Sequence, residues 1–178
     1  MAKKWYEYSA DDILKKRRAL FLFEDITSKS AKTIVSDMLV MEEANSKEPI
    51  WLYINSPGGT VVDGLSIIDT IGFIKPKVNT VIVGEACSMA GIIFLFGHRR
   101  YVTPNSVFMA HPLSSMVVDY LEYMKDRFSY ILELENKMNK IIKNKTKLTK
   151  KEIEKLKNGE LWLTAEQCVK RGIAHKII

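Results

Sequence analysis

A cysteine and a serine stand side by side in "VGEACSMAG", Cys87 and Ser88, between Gly84 and Gly91 and with apolar runs on both flanks. Either is a nucleophile once a base takes its proton, and a serine requires that base at neutral pH. Upstream, "NSPGG" (55–59) holds a glycine pair, which lets backbone N–H groups point at a ligand with no side chain in the way. A helix opening at Ser88 adds unpaired N–H groups and a positive dipole end. Gly59 and Met89 are the candidate donors of an oxyanion hole, although the same glycines also suit plain tight turns. The histidines are His98, His111 and His175. His98 follows an apolar helix, where a cation at the carboxyl end is favourable without catalysis, and His175 lies close to the end of the chain. His111 ends "VFMAH" just before Pro112, a placement that aims a side chain into a strand-end cleft, so position favours it as the base.

These residues need a scaffold, and the pattern around them is alternating strand and helix. "SADD" (9–12) reads as a helix start, "ALFLF" (19–23) as a buried strand and "SAKTIVSDMLVMEEAN" as an amphipathic helix opening at Ser30. "IWLYI" (50–54) is a strand, "NSPGG" a sharp turn and 60–74 a helix stopped by Lys75-Pro76. "VNTVIV" (78–83) is the next strand, "GEAC" its turn, and 88–97 a helix apolar on every side. "RRYVTPNSVFMAH" gives short strands around Thr103-Pro104-Asn105. The expectation is an α/β fold with a mainly parallel sheet, its site at the carboxyl ends of the strands. Beyond it, Leu121, Met124, Phe128, Ile131, Met138 and Ile142 recur near a 3.5-residue spacing, a long amphipathic helix that packs on its own core or on another copy of the chain. Thr149 with Glu152 and Thr164 with Gln167 have capping-box spacing and open two short helices, closed by Gly159 and Gly172.

Composition narrows the classes further. A 178-residue chain with 47% apolar and 27% charged residues is an ordinary globular balance, and no repeat or linker divides it. No apolar run reaches the roughly 18 residues of a membrane span, and "MAKKWYEYSADD" lacks the apolar core of a secretory signal, so a cytoplasmic or equivalent organellar (stroma or matrix) location is expected. Cys87 and Cys168 form neither a CxxC nor a Cys/His cluster, which leaves buried free thiols and no zinc site. The net charge of +6 is spread among acids, and no aromatics interleave with a basic face, so nucleic acid is not an expected partner.

"LYINSPGGTVVDGLSIIDTIGFIKPKVNTVIVGEACSMAGIIFLFGHRRYVTPNSVFMAHPL" resembles the central segment of the ClpP family, the proteolytic subunit of the ATP-dependent Clp protease. The turn, the following helix, the nucleophile turn and the histidine strand occur in the family's order, and the likeness runs from about Arg17 to "WLTAEQCVKRGIAHKI". It implies a ClpP/crotonase-type α/β fold with a protruding handle helix in one domain, 1–178. Residues 1–18 would form an N-terminal axial segment, 19–112 and 145–178 the head, and about 113–144 the handle. Carried over position by position, it makes Ser88 the nucleophile, His111 the general base, and Gly59 and Met89 the oxyanion-hole donors. Consecutive residues entering a helix point about 100° apart, so Cys87 does not share the histidine and packs behind the site. The residue at the offset of the family's acid is Glu160, one methylene longer than the usual aspartate, with Asn158 as the other orienter.

The resemblance further implies a serine endopeptidase that needs no cofactor or metal, assembled as heptameric rings stacked into a tetradecamer, fed unfolded polypeptide by an AAA+ unfoldase. There are departures. Ala90 replaces a glycine after "SM", Pro112 directly follows the histidine, and Ser114-Ser115 replaces a glycine pair, as in a divergent, phage-borne or organellar branch. Three rivals stand beside this reading. One is a non-catalytic ring subunit, and another a phage head-maturation or signal-peptide-peptidase-like enzyme with a lysine base. The third is an acyl-CoA enzyme of the wider crotonase fold, which does not account for a serine and a histidine in these positions.

Overall fold

The computed structural model describes residues 9–116 and 118–178, so the first eight residues of the expected axial segment and position 117 of the handle lie outside it. α1 (Ala10–Lys16) opens on Ser9, whose side chain accepts from the Asp12 N–H in a capping box. β1 (Ala19–Leu22) leads into α2 (Ser28–Ala44). α2 begins ahead of the expected Ser30 because Thr27 is the cap: it exchanges hydrogen bonds with Ser30, which is the third residue of the box rather than its start.

β2 (Ile50–Ser56) alternates buried and half-buried residues along its length, as a strand with a single fully covered face must. α3 (Val61–Phe73) returns the chain to β3 (Val78–Cys87), and α4 (Met89–Leu95) to β4 (Arg99–Val102). β5 (Val107–Ala110), the long α5 (Leu121–Lys145), α6 (Lys150–Lys155), β6 (Leu161–Thr164), α7 (Ala165–Lys170) and β7 (Lys176–Ile177) complete the order. The sheet runs β1-β2-β3-β4-β7 with every one of these neighbours parallel, while β5 adds parallel to β3 and β6 antiparallel to β5. The expected α/β class with a mainly parallel sheet is what the chain forms.

β3 differs from expectation in a way that matters for the site. "GEAC" is not a turn; the strand continues through it to Cys87. Its first half, Asn79–Ile82, pairs with β4, and its last three residues, Glu85–Cys87, pair with β5. The change of partner occurs at Gly84, which has φ +99°, a conformation L side chains avoid; a Cβ there would lie 2.5 Å from Asn55 Oδ1. That same oxygen accepts the Glu85 N–H at 3.1 Å, so the side chain of Asn55 bridges the bend. β2 shows a matching register shift between Ile54 and Ser56.

The core lies on both sides of β2 and β3: Ile54, Ile67, Ile82, Phe94 and Phe108 are all wholly inaccessible. Each such side chain contributes about 1.5–3 kcal/mol relative to exposure, which holds the strand ends rigid under the loops that carry the chemistry. α4 lies directly on β5 because Gly91 has no side chain; a Cβ there would sit 2.8 Å from the Phe108 ring. α5 buries only Met138 and Ile142 of its expected stripe, near its carboxyl end, where Lys145 also lies 4.1 Å over the Phe96 ring. Leu121 and Phe128, at 85% and 58% exposure, show that the first half of the stripe is unpartnered in a single chain. Both predicted caps near the end form, Thr149 with Glu152 and Thr164 with Gln167, and Gly172 closes α7 at φ +65°. No helix among the described residues is long and apolar enough to cross a membrane.

Candidate active site

Ser88 sits between the end of β3 and the first turn of α4, at φ +54° and ψ −125°. A non-glycine residue held there costs about 1–3 kcal/mol, and it persists only because its surroundings over-determine it. Here the Ser88 N–H donates to the Met109 carbonyl at 2.9 Å, and the preceding residue, Cys87, is the ladder partner of Met109. The strand-to-helix bend therefore lifts the serine hydroxyl clear of the sheet while its backbone stays fixed to β5.

His111 lies two residues past Met109 and so on the same face of β5. Its Nε2 is 2.8 Å from Ser88 Oγ, hydrogen-bond distance for a hydroxyl that donates to a base. The nucleophile and the histidine expected from the sequence are thus brought together. The other two histidines have structural partners. His98 Nδ1 accepts from the Val78 N–H at 3.2 Å, His175 Nδ1 accepts from the Arg100 N–H at 3.0 Å, and burial pushes both below the ordinary imidazole range.

The glycine pair faces the serine. Ile26 makes a parallel bridge to Gly59, with its N–H on the Gly58 carbonyl at 2.7 Å and its carbonyl accepting from Thr60 at 2.9 Å. Both bonds use the residues flanking Gly59, so the N–H of Gly59 turns to the opposite side, as the middle residue of a bridge does. Met89 is the first residue of α4, so its N–H has no acceptor inside the helix. Gly58 makes the approach of the two segments possible: a Cβ on it would meet Ser88 Cβ at 2.7 Å, the Cys87 carbonyl at 2.8 Å and the Met89 nitrogen at 3.1 Å.

Gly59, Ser88, Met89 and His111 all line one cleft of about 440 Å³, whose far wall is Tyr130, Ile131, Leu134 and Met138 of α5. It is a groove of mixed polar and apolar lining with the hydroxyl, the imidazole and the two N–H donors at one end.

Glu160 is related to His111 by strand register rather than by motif. The last pair of the antiparallel β5–β6 ladder is Ala110 with Leu161, and His111 and Glu160 are the residues that continue past it. Asn158 lies short of that ladder in the turn after α6, its N–H on the Lys155 carbonyl at 3.2 Å. The Glu160 carboxylate does not bond the imidazole; it accepts from the indole N–H of Trp162 at 2.7 Å. Nothing in the sequence reading singled out Trp162 or the strand that carries it. The available signal was the alternation of "LWLT", buried, exposed, buried, exposed, which is too short to separate from the capping box that follows.

The sequence model of the family described as Clp protease matches residues 2–178. The chain belongs to the Clp protease family. Membership makes it a ClpP-type peptidase, generally of the serine class, and the fold above is the ClpP fold. Departures from the Clp protease pattern are accommodated locally. Ala90 is wholly buried in α4 without disturbing the serine turn. Cys87, where this family carries a small residue, is 3% exposed and points its Sγ at Glu85 Oε2, 3.5 Å away, rather than at His111. Burial, then the charge of Glu85 and more weakly that of Glu160, pushes its thiol up to about 12. At pH 8 iodoacetamide is therefore expected to leave Cys87 unmodified in the folded protein and to alkylate it only after denaturation, which mass spectrometry of the intact chain will read.

Proposed function

We propose that this Clp protease family chain is a serine endopeptidase in which Ser88 is the nucleophile, His111 the general base and acid, and Gly59 and Met89 the oxyanion donors. The observation that carries the reading is the 2.8 Å contact between Ser88 Oγ and His111 Nε2 at the end of the cleft under α5. In acylation, Ser88 Oγ bonds the scissile carbonyl carbon as its proton passes to His111 Nε2. The carbonyl oxygen becomes an anion, which the two N–H groups stabilise; losing one such donor typically costs about 3 kcal/mol. The C–N bond then breaks and His111 protonates the departing amine. Water repeats the sequence on the acyl-enzyme, giving its proton to His111 and releasing the acid while Ser88 Oγ regains a proton. None of these steps calls for a metal or an organic cofactor. Glu160, which like His111 lies one residue past the last pair of the β5–β6 ladder, is the acid that would hold the imidazole tautomer.

The substrate in this reading is unfolded polypeptide laid along the groove between the serine turn and α5. The exposed apolar face of α5, including Leu121 and Phe128, supports its use as a handle between copies. The assembly we propose is two stacked heptameric rings fed by an AAA+ unfoldase, in the cytoplasm or an equivalent organellar compartment.

A fluorophosphonate probe followed by peptide mapping and sizing chromatography tests the assignment. An adduct on Ser88 that disappears in His111→Ala is the expected result; an adduct that persists in His111→Ala points to a different base. The second reading, a non-catalytic ring subunit, is favoured by one observation, the engagement of Glu160 with Trp162 instead of His111. Absence of labelling in a fully assembled double ring would establish it.

A further inference from the structure

Among the described residues Trp162 is the one side chain bonded to Glu160, and its place in the fold suggests a role in the reaction. It is the second residue of β6, two positions past Glu160, and stands opposite Met109, the residue whose carbonyl holds the Ser88 N–H. Its indole is 52% exposed, so the ring contributes little to the core. Its Nε1–H donates to Glu160 Oε2 at 2.7 Å, a short, charge-assisted bond. A glutamate has one more rotatable bond than an aspartate, and its carboxylate can therefore turn along the strand to Trp162 or across the ladder to His111.

We propose that Trp162 is a positioning residue that withholds the triad acid: in the resting chain its indole N–H keeps the Glu160 carboxylate turned away from His111, and catalysis requires that bond to be exchanged for one to the imidazole. The inference rests on Glu160 being the acid, as proposed above. A hydrogen bond to a charged group favours one orientation by on the order of tenfold or more. Removing the donor shifts the carboxylate toward His111.

The experiment compares the full-length wild type with Trp162→Phe, Trp162→Leu, Glu160→Gln and the Glu160→Gln/Trp162→Phe double variant on a fluorogenic peptide across pH. Both Trp162 variants keep an apolar side chain at an exposed strand position, and their folding is checked by thermal melting. The expected result is a kcat raised about threefold to tenfold with KM unchanged in both. The acidic limb of the kcat/KM profile should also move to higher pH, because a carboxylate turned to the imidazole favours its protonated form. The other titratable groups around the pair, Glu85 and Cys87 on β3 and Arg127 and Glu135 on the α5 wall of the cleft, are the same in every variant. In the Glu160→Gln background the gain disappears. An unchanged or lowered kcat in both Trp162 variants, with Glu160→Gln still impaired, overturns the withholding role alone. Wild-type activity in Glu160→Gln overturns the acid assignment beneath it.

Discussion

Ser88→Ala is expected to lower kcat/KM by about 10⁴-fold or more, because in the proposed mechanism the base and the oxyanion donors have no covalent step to serve once the hydroxyl is gone. The fold should scarcely register the change. Among the described residues Ser88 Oγ is bonded to His111 alone, and alanine keeps the same Cβ in the same strained turn, so the loss is about 1 kcal/mol, or about 2–4 °C in melting temperature. Initial rates on a fluorogenic peptide, read beside a thermal melt, separate the two effects. Retention of wild-type turnover in the homogeneous variant assembly would remove Ser88 from the mechanism.

Gly58→Ala is expected to act in the opposite proportion, on structure first and on rate through it. With φ +106° and a Cβ placed 2.7 Å from Ser88 Cβ, the alanine meets both a strained backbone and a collision with the nucleophile turn. Backbone strain of about 1–3 kcal/mol and overpacking of about 1–3 kcal/mol add to a loss of several kcal/mol, on the order of 10 °C in melting temperature. Where the fold survives, the turn relieves the contact by moving Ser88. A displacement of about 1 Å costs on the order of 10²-fold in rate. Fluorophosphonate labelling kinetics on the folded fraction measure that displacement directly, and wild-type labelling would mean that "SPGG" does not set the serine's position.

Much of this was legible in the sequence because the determinants are local. Apolar periodicity and capping pairs such as Thr149 with Glu152 report the backbone of one short stretch, and the Ser88 turn, the glycine pair and the histidine strand are each contiguous. Two features were not legible for the same reason. The continuation of β3 through Gly84 depends on Asn55, thirty residues earlier, reaching across to the Glu85 N–H. The neighbour of Glu160 depends on the pairing of β5 with β6, which no spacing within either strand encodes. The sequence offered a carboxylate at the right offset, and the structure shows it bonded to the indole of Trp162.

The change of partner along β3 has a mechanical meaning. Below Gly84 the strand belongs to the main sheet; above it, Glu85–Cys87 belong to a small ladder shared with β5 and, through it, with β6. Ser88 and His111 both ride on that upper piece, a cassette only a few residues wide, so the distance between them is fixed by local hydrogen bonds rather than by the shape of the whole molecule. The opposite wall of the groove belongs to α5, whose outer half has little of the chain beneath it. A shift of α5 would therefore reshape the groove, while Ser88 and His111 stay tied to one short ladder.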